Sequence, residues 1–108
     1  MDKIKRPDYN KLPTQVRVLG KIFKIRRLGA EEHIDCAGIM ELASQDIAIR
    51  EAPALAYQQD TLLHETIHAI DETLYLKMTE KQVSQLASVL LGVLKDNPEF
   101  TAWILKNE

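Results

Sequence analysis

From Ala54 to about Leu76 the chain runs without a glycine or proline and keeps a helical period, with Leu63, Ile67, Ile70 and Leu74 at i, i+4, i+7 and i+11. Such a run commits some twenty residues of a 108-residue chain to one amphipathic helix, around which everything else must pack. The same run contains His64-Glu65-Thr66-Ile67-His68. Residues four apart on a helix lie about 40° apart in azimuth and about 6 Å apart along the axis. Two imidazoles so placed can bind one metal ion, and Glu65, next to His64, can reach a water on that metal. The helix therefore predicts both a core and a chemistry.

The flanking sequence predicts what packs on it. Gln15–Leu28 alternates through Val16, Val18, Ile22, Phe23 and Ile25, with a turn expected near Leu19-Gly20-Lys21. Phe23 interrupts the strict alternation, so a bulge or register shift is expected there. Gly29 to Asp35 reads as a loop, Ala37–Leu42 as a third strand, Ser44-Gln45-Asp46 as a turn and Ile47–Arg50 as a short strand. Pro53 suits the first turn of the helix. Thr79 is the expected N-cap of a second long helix, with Gln82 as its capping-box partner. Val83, Leu86, Ala87, Leu90 and Leu94 mark that helix's expected buried face, and Asp96-Asn97-Pro98 ends it. Trp103, Ile104 and Leu105 are expected to pack back on the core. Strands first and helices after predict an α+β fold: a small N-terminal antiparallel sheet of three to four strands, the His-Glu-x-x-His helix, and a second long helix. Residues 1–14, with Pro7 and Pro13, read as an extended arm, and residues 15–108 as one domain.

Composition narrows the function classes. A net charge of −2 with 45% hydrophobic and 28% charged residues argues against a strongly basic nucleic-acid binder. The cations gathered near the N-terminus, among them Arg17, Lys21, Lys24, Arg26 and Arg27, read as solvated charge on the outer face of a sheet. Cys36 is the single cysteine, so no internal disulfide forms. Met1-Asp2-Lys3-Ile4-Lys5 has no apolar signal segment, and no stretch approaches the length of a membrane span. A cytoplasmic protein without a membrane partner is the expectation; its oligomeric state is open.

The motif points to zinc, held by His64 and His68, with Glu65 as general base for hydrolysis by an activated water. A catalytic zinc usually takes three protein ligands. The third is open at this point: Glu80, at the start of the following helix, is the first choice, then Asp71, then water or another group. Asp71, three residues past His68, also suits a carboxylate that orients that imidazole. Glu72 is expected in solvent. His33, beside Glu31 and Glu32, reads as a surface histidine; Cys36 could ligate zinc but fits better as a small buried residue. Tyr57 and Tyr75 could each steady an oxyanion, although packing roles fit both better.

These residues carry a resemblance. Thr61–Ile70 resembles the extended zinc-peptidase signature, and the element order is similar to the gluzincin branch of the zincins in its smallest form. Ile47-x-Ile49, then Thr61-Leu62-Leu63-His64-Glu65-x-Ile67-His68-Ala69-x-Asp71, resembles small metallopeptidases of phages and prophages. So does Thr79-Glu80-x-Gln82-Val83-x-x-Leu86-Ala87 followed by Leu94-x-Asp96-Asn97-Pro98. More distantly the chain is similar to ImmA/IrrE-like and SprT-like peptidases. The resemblance implies zinc on His64 and His68, Glu65 as base, and a protein or peptide substrate. It also implies that Ile47–Arg50 lies along the cleft and receives an extended substrate by strand addition. Gln82 stands where ImmA/IrrE-like proteins carry a glutamate. A zincin-fold binding protein that holds metal without turnover is the alternative.

Overall fold

Four short strands and three helices follow one another along residues 11–107, which the computed structural model describes. The strands are β1 (Gln15–Val18), β2 (Lys21–Arg27), β3 (Gly38–Glu41) and β4 (Asp46–Ile49); the helices are α1 (Leu55–Leu74), α2 (Glu80–Asp96) and α3 (Pro98–Ile104). The fold is α+β, as expected. Most of the expected N-terminal arm lies outside the described residues. Its last residue, Thr14, accepts a hydrogen bond from Ile25 N–H and so prolongs the pairing of β1 with β2.

Leu19 and Gly20 both have positive φ (50° and 80°), the backbone of a tight two-residue hairpin that matches strand twist. Val16 pairs with Phe23 and Val18 with Lys21 in unbroken antiparallel register, so the expected bulge at Phe23 does not occur. Phe23 and Ile25 face inward, and the residue out of phase is Ile22, which lies 41% exposed on the outer face.

The sheet is mixed rather than antiparallel. Its order is β1-β2-β4-β3, and β2 pairs with β4 in parallel. Burial explains the arrangement. Ile47, Ala48 and Ile49 are all fully buried, so β4 needs both faces covered and neighbours on both edges. β3 is half-buried and takes the outer edge. The ten-residue connection from β2 crosses to that edge, and the β3–β4 turn brings β4 back into the middle. Arg50, just after β4, holds the crossing in place: its guanidinium donates to the carbonyls of Gly29, Glu32, His33 and Cys36. Lys24 and Arg26 are on the solvated outer face, where Arg26 pairs with Glu32 at 3.0 Å and Asp46 at 3.3 Å.

α1 is the middle layer. One side of it, with Leu62, Ala69 and Ile70, packs on Phe23, Ile25, Ile47 and Ile49 of the sheet. The other, with Leu63 and Ile67, packs on Val83 and Ala87 of α2. Among the described residues α2 touches no strand, so its only large neighbour is α1. The expected buried face of α2 therefore narrows to Val83 and Ala87, while Leu86 and Leu90 are 46% and 37% exposed. Trp103, Ile104 and Leu105 do not return to the core. They are 72%, 53% and 71% exposed, because α3 is carried on the end of α2, beyond the reach of the sheet. No helix of the described residues is long and apolar enough to cross a membrane.

Candidate metal centre

α1 presents His64 and His68 on a face between its two packed sides, and their ring centroids are 4.8 Å apart. Their Nε2 atoms approach to 3.1 Å. Glu80, the first residue of α2, closes the third side: its two carboxylate oxygens lie 2.6 Å from His64 Nε2 and 3.0 Å from His68 Nε2. The three residues form a possible metal-binding triad, with one ligand atom from each within 4.8 Å of the others. Both imidazoles are largely shielded, at 19% and 24% side-chain exposure, and Glu80 covers them from solvent at 68%.

Local structure at both ends of the α1–α2 connection brings Glu80 in. Thr79 Oγ1 accepts from Gln82 N–H at 3.1 Å, and Gln82 Oε1 accepts from Thr79 N–H at 2.9 Å, the expected capping box. Gln82 is therefore engaged at the helix start. Glu80, two residues earlier, is the carboxylate that reaches the two imidazoles. Asp71 takes neither role considered for it. It is buried, and its Oδ1 accepts from Met78 N–H at 3.0 Å while its carbonyl accepts from Leu76 N–H at 3.1 Å. Asp71 thus ties the connection down two residues before Glu80.

Glu65 is one residue round from His64 and only 7% exposed. Burial pushes its carboxyl above the usual carboxylate range; His64 and His68 oppose the rise, and Glu80 adds to it. Gly38, the first residue of the edge strand, comes up close against Glu65. A Cβ at Gly38 would stand 3.1 Å from Glu65 Cγ, 3.2 Å from Glu65 Oε2 and 2.9 Å from Thr61 Cγ2. Only glycine lets β3 approach α1 this closely. A glycine inside a strand pattern is the sequence signal of such a close approach.

The triad and Glu65 open into a cleft of about 460 Å³, walled on the β3 side by Cys36, Ala37 and Gly38 and on the α1 side by Tyr57 and Thr61. Cys36 is exposed on that wall and not buried, because the crossing held by Arg50 keeps it at the surface. His33 and Glu72 are in solvent, as expected, and Tyr75 is 83% exposed at the end of α1, away from the cleft lining. Ser84, one turn into α2, places its Oγ 3.5 Å from His64 Nδ1, a neighbour that no local sequence pattern announces. β4 has partners on both edges, so the segment Ile47–Arg50 offers no free edge for strand addition; among the described residues β3 is the strand with an unpaired edge beside the cleft.

No family model matches the chain, no curated protein resembles it, and no solved structure resembles it.

Proposed function

We propose that the chain is a zinc-dependent peptidase of minimal zincin type, acting on a protein or peptide substrate. The observation that carries this reading is the convergence of His64 Nε2, His68 Nε2 and the Glu80 carboxylate beside a buried glutamate on the same helix. The donor set fits the ion. Three electron-pair donors face one another at 2.6–3.1 Å, an arrangement that repels itself unless a cation or protons lie between. Tetrahedral zinc ligands at about 2.0–2.1 Å are separated by about 3.3 Å, so a small outward relaxation accommodates the ion. Two imidazoles and one carboxylate also match a catalytic zinc donor set.

Zinc, when bound, supplies a Lewis acid and brings the pKa of water towards about 7. The chain's residues do the rest. Glu65, made more basic by burial, takes the proton of the attacking water and returns it to the leaving amine. Ser84 Oγ is placed to accept from His64 Nδ1–H in the tautomer whose Nε2 lone pair faces the centre. The open edge of β3 offers backbone donors and acceptors to an extended substrate.

The test is a zinc assay joined to a cleavage profile. Purified protein is expected to carry one zinc per chain. Glu65→Gln is expected to keep it while cleavage of a peptide library falls by about 10²–10⁴-fold, the range for a lost general base. Zinc present with no cleavage by either form would favour the metal-stabilised binding protein. Native protein free of metal would refute both readings.

A further inference from the structure

The two C-terminal helices carry apolar side chains that no other described residue covers. On α2, Leu86, Val89 and Val93 are 46%, 64% and 38% exposed; on α3, Phe100, Trp103 and Ile104 are 51%, 72% and 53% exposed. The α2 residues recur at i, i+3 and i+7, one stripe roughly 100° round the helix from Val83 and Ala87, which pack on α1. α3 is fastened to the end of that helix. Thr101 Oγ1 donates to the Leu94 carbonyl at 2.6 Å and Asn97 Nδ2 to the Val93 carbonyl at 2.9 Å. No residue of α3 is buried, although four of its seven residues are Phe, Ala, Trp and Ile. Monomers rarely expose a contiguous apolar patch of more than about 300–600 Å².

We propose that this face is the interface of a two-fold homodimer, covered by a second copy of the same chain. Size is the first argument. The six side chains expose on the order of 700 Å², close to the ~800 Å² that one partner contributes to a standard interface. Self-complementarity is the second. A straight stripe of Leu and Val packs against its own copy ridge into groove, and a two-fold axis lets each α3 bring its aromatic rings to the other chain. Charge is the third. The fringe carries Lys106 against Asp96 and Glu99, a small net charge that repels its copy little, while Lys95 turns away to donate to Gln59 of α1. A membrane-surface helix would carry an excess of Lys and Arg on its polar face, and this one does not. Glu80 and Ser84 leave α2 on another side, towards His64 of the same chain, so pairing does not close the cleft.

Trp103 is the only tryptophan, which makes the interface report on itself. Light scattering of the full chain is expected to give twice the 12.3 kDa monomer mass, with tryptophan emission at the short wavelengths of a buried indole. On dilution the mass should halve and the emission move to longer wavelength in one joint transition. Trp103→Ala is expected to raise the dimer Kd by at least ~30-fold, as for a hot-spot aromatic, and Val93→Glu to abolish pairing while the circular dichroism stays unchanged. Should a variant fail to fold, the wild-type dilution experiment decides alone. A 12.3 kDa species at every concentration overturns the proposal. So does a dimer indifferent to both substitutions, or an emission shift that appears only with phosphatidylserine–phosphatidylcholine vesicles.

Discussion

Replacing Gly38 and Gly92 by alanine adds the same methyl group to two helices' surroundings with opposite expected results. At Gly92, inside α2, the added Cβ meets nothing within 4 Å. The change there removes backbone freedom from the unfolded chain and adds helix propensity, a gain of about 0.5–1 kcal/mol. At Gly38 the methyl arrives 2.9 Å from Thr61 Cγ2, closer than carbon atoms tolerate. Thr61 cannot turn away cheaply: it is β-branched, buried, and its Oγ1 is bonded to the Tyr57 carbonyl at 2.9 Å. Overpacking of this kind costs about 1–3 kcal/mol, against about 0.4–1 kcal/mol regained from the unfolded chain. At mid-range the net loss is about 1.3 kcal/mol, which lowers the melting temperature by roughly 5–10 °C at about 4–8 °C per kcal/mol for a domain near this size. The second contact, 3.1 Å to Glu65 Cγ, carries the effect to the site. Zinc content should stay unchanged, because no ligand is touched, while turnover falls up to about 10²-fold for a displaced catalytic group. Thermal melts, elemental analysis and a peptide-cleavage assay read the three quantities. A Gly38→Ala protein that melts at or above wild type, as Gly92→Ala should, would refute the packing of β3 against the Glu65 face of α1.

Glu80→Gln exchanges the carboxylate of the triad for a neutral amide, and is expected to weaken zinc binding by more than the ~10–100-fold of an outer-shell change; competition with a chelator measures it. Asp71→Ala leaves Met78 N–H without its acceptor, at a cost of about 1–3 kcal/mol. It should also lower zinc affinity without removing a ligand, whereas Asp71→Asn, which keeps an acceptor oxygen, should restore both. Glu32 is held below its ordinary value near 4.5, first by its hydrogen bond from Arg26 and then by that from Gly29 N–H. A lowered folded-state pKa adds stability above the unfolded value that is lost as pH falls through the folded one. Glu32→Gln should therefore melt slightly below wild type at neutral pH, and the difference should vanish in acid.

The parts of this protein that were legible without a structure are those decided within one helical turn or one hairpin. The spacing of His64 and His68, the capping box of Thr79 and Gln82, and the turn at Leu19-Gly20 depend on neighbours three or four residues away. Chain contacts at that range repeat the periodicity of the sequence, so the pattern can be read directly. The choice among possible third ligands could not be made this way. Glu80 and Asp71 were both available; the structure sets Glu80 beside both imidazoles, while Asp71 accepts from Met78 N–H instead. The parallel pairing of β4 with β2 likewise rests on a strand needing cover on both faces, a demand of the whole core. Packing layers decided the fate of the apolar C-terminus, since hydrophobic side chains are buried only where a partner surface exists, and among the described residues α2 has only α1 and α3 against it and α3 only the end of α2. The His-Glu-x-x-His helix was thus determined by sequence. The carboxylate that lies beside its imidazoles, the edge strand that covers Glu65 and the apolar face of the last two helices were decided by tertiary structure, because each depends on contacts between residues distant in the chain.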